Sequence, residues 1–131
     1  MRGRGRRRGW QQGGASRLAM RFVEPTLLLL LHHRPAHGYP LIEQLSEYGL
    51  GGIEPSALYR ALREMEDRGW VVSCWEEAGT LGPPRRVYRL TELGHEVLGQ
   101  WAADLQEMRQ MVDRILASYA LHMEEGEGDY H

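Results

Sequence analysis

Between residues 22 and 123 the apolar positions change period several times, and each change marks an element. Residues 22–33 contain five consecutive leucines, Leu27 to Leu31, which cover most of a helix circumference. They predict a short helix buried on several sides. Pro25 suits its first turn, where a missing N–H costs nothing. Arg34-Pro35 ends it, because the residue before proline disfavours helical backbone. Residues 37–48 predict a second helix with Tyr39, Ile42 and Leu45 inward, Leu41 and Tyr48 flanking, and Glu43, Gln44 and Glu47 in water. Gly49, Gly51 and Gly52 make the connecting loop. Residues 54–68 predict a third helix, with Pro55 at its first position and Gly69 closing it. Leu58, Leu62 and Met65 form its core face, and Ser56, Tyr59, Arg60 and Arg63 project from the other side.

The pattern then turns strand-like. Residues 70–76 are β-branched and aromatic, 77–84 are turn-rich, and 85–90 alternate, with Arg86, Tyr88 and Leu90 on one face and Arg85, Val87 and Arg89 on the other. This is a basic hairpin. Residues 91–123 return to a helical pattern, with Thr91 as N-cap. Leu98, Trp101, Leu105, Met108, Val112, Ile115 and Tyr119 are spaced alternately by three and four residues, a seam of period 3.5 that signals helix-to-helix supercoiling. Val97, Met111 and Leu116 widen it. The seam requires either the first helix of its own chain or a second copy. The whole predicts a mainly α fold with a small β-hairpin: a winged helix-turn-helix followed by a long C-terminal dimerisation helix.

Charge divides the chain in the same way. Residues 1–21 carry +7, residues 22–90 carry −2, and residues 91–131 carry −7, within a net charge of −2. Four regions follow: a basic Arg/Gly-rich flexible arm (1–21), a winged helix-turn-helix (22–90), a dimerisation helix (91–123) and an acidic, frayed tail (124–131). Only one end is suited to a polyanion. Arg4, Arg6, Arg7 and Arg8 lie in the arm, in a stretch with no apolar periodicity. Three readings of that arm stand: phosphate tracking on DNA, an RNA-binding Arg-Gly tract, or a solvated tail. The apolar run Thr26–Leu31 is too short for a membrane span of ~20 residues. His32, His33 and Arg34 follow it in place of a small-residue cleavage site. The single cysteine, Cys74, suits a reducing compartment and reads as a small strand hydrophobe. These features predict a cytoplasmic chain.

Three stretches sharpen the picture. HGYPLIEQL, EPSALYRALREMEDRGWV and PPRRVYRLTELGHEVL together resemble the PadR family of bacterial transcriptional regulators, over about residues 24–121. The single long C-terminal helix is similar to the shorter subfamily. The resemblance implies a homodimer that binds a pseudo-palindromic operator on double-stranded DNA, in the manner of a repressor. Carried over by position, Pro55, Ser56, Ala57, Leu58 and Tyr59 match the start of the recognition helix. Arg85, Arg86 and Tyr88 match the second wing strand, and His37, Gly38 and Tyr39 match the start of the second helix. Arg60 and Arg63 add cations suited to guanine or phosphate. The sequence departs from the family at Glu54, where a small polar residue is usual, at Arg60, and in the stiff wing tip Leu81-Gly82-Pro83-Pro84. The seam residues Leu98, Trp101, Leu105, Met108, Val112, Ile115 and Tyr119 become the expected dimer interface. Trp101 and Leu105 have a second reading as the wall of a pocket for a small planar effector. In drug-binding relatives the tryptophan lies about one turn later, where this chain has Leu105.

Other chemistry finds little support in the sequence. The six histidines match no zinc-ligand spacing, and no cofactor is implied. No nucleophile elbow, phosphate loop, HExxH or paired-carboxylate pattern is present, so an enzyme is not expected. The rival to a DNA-binding regulator is a protein–protein adaptor using the winged helix and the acidic helical seam.

Overall fold

The structure is a computed structural model that describes residues 17–76 and 82–130, with side chains through Glu125. The element order is α1 (Arg17–Met20), α2 (Val23–His33), β1 (Ala36–His37), α3 (Gly38–Ser46), α4 (Pro55–Asp67), β2 (Val71–Glu76), β3 (Arg85–Leu90) and α5 (Glu92–Tyr130). The chain divides into two compact units between Leu98 and Gly99. Among the described residues, no helix is long and apolar enough to cross a membrane.

The first unit is a winged helix-turn-helix. Its core gathers Leu27 and Leu28 of α2, Leu41 and Leu45 of α3, and Leu58, Leu62 and Met65 of α4 with Val71 of β2, all fully buried. Each such side chain contributes about 1.5–3 kcal/mol relative to exposure. The leucine run of α2 is buried on several sides, as its all-round apolar pattern predicts. In α3 the inward face is rotated from the expected one. Gly38, Leu41 and Leu45 are buried, whereas Tyr39 is 69 % exposed and Ile42 only half-buried. Leu41 and Leu45 with a glycine let the helix approach its neighbours closely, and the bulkier Tyr39 is left outside.

The hairpin is paired along its length, from Val71 opposite Leu90 to Glu76 opposite Arg85. A third strand, unforeseen in the sequence, completes the sheet in the order β1-β3-β2: Ala36 lies opposite Tyr88, and His37 opposite Val87. Two residues are too few to show a strand period. Cys74 is exposed on the outer face of β2, not buried as the sequence suggested.

Helix α4 ends in a Schellman arrangement. The Trp70 N–H donates to the Met65 carbonyl and the Gly69 N–H to that of Glu66, with Gly69 at φ +82°. The next element is anchored to this turn. Thr91 caps α5 by accepting from the Gly94 N–H at 3.0 Å, and its hydroxyl donates toward the Gly69 and Trp70 carbonyls. The second unit is the remainder of α5. The helix continues to Tyr130, past residue 123 and through the stretch expected to fray. Along it Trp101, Leu105 and Met108 are half-buried, and every described side chain from Met111 onward is exposed.

Candidate nucleic-acid interface

The start of α3, the flank of α4 and the start of β3 converge on a groove of about 520 Å³, lined by His37, Tyr39, Glu43, Tyr59, Arg85 and Arg86 among others. His37 sets one wall. Its Nδ1–H donates to the Arg86 carbonyl at 3.3 Å, and its Nε2 lies 3.5 Å from Glu76. The β1–β3 pairing holds its backbone against the wing. Tyr59 forms the opposite wall, packed onto Gly38. A Cβ at position 38 would stand 2.5–2.7 Å from the Tyr59 ring, well inside contact distance, so only glycine admits this ring.

Helix α4 presents two further surfaces. Ser56, Arg60 and Arg63 are exposed on the side away from Leu58, Leu62 and Met65. Ala57 and Arg60 line a second groove of about 400 Å³, toward Met20, Arg21 and Glu24. Ala57 therefore faces away from the His37 groove. At the helix start Glu54 makes no side-chain cap bond, while its carbonyl accepts from the Ala57 and Leu58 N–H groups. With Pro55 lacking an N–H, the Ser56 amide is the one donor of this turn left without a backbone acceptor among the described residues, at the positive end of the helix dipole. Pro55 occupies the first position, as expected.

Wing chemistry is more ordered than the alternation of its arginines implied. Arg85 and Arg86 both reach the same groove although they start from opposite faces of β3. Arg86 is tethered: its Nε–H donates to Ser73 Oγ at 2.8 Å, and the Ser73 hydroxyl donates to Glu66 of α4 at 2.8 Å. Its guanidinium also lies 5.2 Å over the ring of Trp75, which is 65 % exposed. Below this layer Tyr88 is buried, and its phenol titrates above the ordinary 10.0. Burial is the main cause, the nearby Glu66 adds to it, and the Arg86 charge opposes it. Gly38 was legible in the sequence as part of the HGY motif, whereas Glu66, Ser73 and Trp75 were not singled out as site residues. Trp75 was detectable, since it stands opposite Arg86 in the hairpin register. The Glu66–Ser73 link was not, because it joins two elements.

Of the other expected site residues, Arg4, Arg6, Arg7 and Arg8 lie outside the described residues. Leu98, Trp101, Leu105 and Met108 are half-buried, and Val112, Ile115 and Tyr119 are exposed, the last two by 66 % and 61 %. His32 and His95 meet with their Nδ1 atoms 3.1 Å apart. No three His, Cys, Asp or Glu side chains gather to hold a metal ion among the described residues.

The family model described as transcriptional regulator PadR-like family matches residues 27–100. A PadR family transcriptional regulator from Eggerthella lenta is 31 % identical, with 76 % of this chain and 85 % of that chain covered and a TM-score of 0.67. A PadR-like transcription factor from Bacteroides fragilis is 33 % identical, covering 75 % of this chain and 93 % of its own, at a TM-score of 0.63. A PadR-like transcriptional regulator from Bacillus cereus shares the fold at a TM-score of 0.69 and 23 % identity, over 77 % of this chain and 97 % of its own. No curated protein matches the chain.

Proposed function

The chain belongs to the transcriptional regulator PadR-like family, whose members are regulators and not enzymes, and from this we propose that it is a sequence-specific repressor acting as a homodimer on a pseudo-palindromic DNA operator. One observation carries the reading. Four separate elements, β1, α3, α4 and β3, bring His37, Tyr39, Tyr59, Arg85 and Arg86 to one groove, and α4 also exposes Ser56, Arg60 and Arg63. Guanidinium and hydroxyl donors then lie on the two parts of the fold that meet DNA in this motif, the wing and the recognition helix, with the His37 imidazole of β1 beside them. Helix α4 enters the major groove, with Ser56, Arg60 and Arg63 toward base edges and phosphates. Arg85 and Arg86 engage the adjacent backbone, and the basic arm with Arg4, Arg6, Arg7 and Arg8 adds phosphate contacts.

The exposed apolar positions of α5 support dimerisation. Met111, Val112, Ile115, Leu116 and Tyr119 remain in solvent in the single chain, and a second copy removes them from water at about 25 cal/mol per Å² of apolar area. Two copies related by a two-fold axis read half-sites ~34–36 Å apart or a multiple of that. Trp101 and Leu105 are the positions at which a planar effector would act, by preferring one of two arrangements of the dimer. A reducing, cytoplasmic setting suits the lone Cys74.

Selection from random-sequence duplexes, with affinity followed against salt, tests the reading. An inverted repeat with log affinity falling linearly in log salt supports it. Salt-dependent binding without an enriched sequence leaves only the arm's electrostatics. Absence of binding at low salt puts the protein–protein adaptor first.

A further inference from the structure

Glu66 is an acid on the helix proposed to enter DNA, and simple charge counting makes it a liability there. The geometry around it points the other way. Its carboxylate accepts from the Ser73 hydroxyl at 2.8 Å, and that oxygen accepts from Arg86 Nε–H at 2.8 Å. Ser73 is half-buried, and Trp75 lies beneath the guanidinium at 5.2 Å. Arg86 is thus held at Nε from one side and at its planar face from another. Its two terminal amino groups bond to no other described residue, and the side chain is exposed along the His37 groove. The main chain is fixed as well, through the His37 bond to the Arg86 carbonyl and the pairing of Arg86 with Trp75.

We propose that Glu66, Ser73 and Trp75 are positioning residues that pre-aim Arg86 as a two-pronged phosphate ligand, and that the relay locks the wing to the recognition helix so that both meet DNA in one register. This rests on the DNA-binding reading above. A free arginine loses rotamer freedom when it clamps a phosphate; here that loss is taken during folding. The orientation matches what a bidentate arginine–phosphate contact needs, since the terminal nitrogens face out while Nε is occupied. The acid earns its place by ordering a cation. The relay also joins α4 to β3 across β2 with polar links of defined length, so a shift of the recognition helix moves the wing with it.

The test uses the full chain and the duplex recovered by selection. Ser73→Ala, which changes no charge, weakens binding by about three- to tenfold. It also lowers the slope of log affinity against log salt by about 0.9, the value for one phosphate contact. Arg86→Ala gives the same slope change, and adding Ser73→Ala to it costs nothing further, because the two act through one contact. Ser73→Thr keeps the hydroxyl and retains parental binding. Glu66→Ala weakens binding although it removes a negative charge from the interface, the reverse of the bulk electrostatic effect. General damage to the fold would instead add to Arg86→Ala and lower the melting temperature. Parental or tighter binding by Ser73→Ala and Glu66→Ala, with an unchanged salt slope, overturns the relay while leaving the DNA-binding reading intact. Absence of duplex binding by the parent chain overturns both.

Discussion

Gly38 shows how a single missing Cβ shapes the interface. With the Tyr59 ring only 2.5–2.7 Å from the place a Cβ would take, Gly38→Ala must move the ring into the groove. Tyr59 is partly exposed and can swing, so the expected stability loss is small, about 1 kcal/mol or less. The expected loss of DNA affinity is about fivefold, the worth of one contact of about 1 kcal/mol. Paired melting and binding measurements separate the two, and a large stability loss with parental affinity would refute the steric argument. Tyr88 yields a pH prediction. Its folded-state pKa lies above the ordinary 10.0, mainly through burial, so the folded chain holds this proton more tightly than the unfolded one. The resulting stabilisation is full below the ordinary value and is lost as pH rises through the folded one. In urea unfolding, the stability gap between the parent and Tyr88→Phe stays constant below pH 10.0 and moves against the parent above it. A gap unchanged to about pH 11 would show that burial does not keep the phenol neutral. The HGY motif made Gly38 legible as a residue, but its purpose became visible only with Tyr59 beside it.

Among the elements, the junction between α4 and α5 ties the most together. Gly69 turns the chain at the end of α4 with φ +82°, and Thr91 caps α5 while bonding back to the carbonyls of Gly69 and Trp70. Thr91→Ala removes the cap and the tie at once, with an expected cost of about 1–2 kcal/mol. Chemical denaturation measures it, and a loss below the error of the method would show that water replaces both bonds. Both roles follow local rules: a helix requires a C-terminal glycine and an N-terminal hydroxyl wherever it sits, so the sequence displayed them. Strand β1 and the rotated face of α3 obey no such rule. The first owes its existence to a neighbouring strand edge, and the second to the side chains that α3 meets.

The whole molecule combines a winged helix-turn-helix unit with a long helix whose apolar positions from Met111 to Tyr119 are exposed in one copy. Ile115 is 66 % exposed, and in a two-fold dimer Ile115→Glu places two like charges in an apolar seam. The expected outcome is a monomer by light scattering, with binding to the selected duplex falling to that of a single half-site. A dimeric mass would move the interface elsewhere. Net charge acts at this scale too. Under the proposed DNA-binding function, the basic first 21 residues and the acidic last 41 steer the chain's basic end toward DNA, and that steering weakens with salt because the Debye length is about 8 Å at physiological ionic strength.

The sequence by itself determined α2 to α5, the hairpin, the caps and the 3.5-residue seam, because periodicity and capping are properties of neighbouring residues; α1 (Arg17–Met20), with Ala19 buried, lies instead in the stretch expected to be a flexible arm. It also determined the family, through motifs that stay contiguous along the chain. Only the tertiary structure decided that Arg85 and Arg86 share a groove with His37 and Tyr59, that Glu66 reaches Arg86 through Ser73, and that Tyr39 faces outward. Those facts depend on distances between elements far apart in sequence, which packing of the common core fixes and no local pattern encodes.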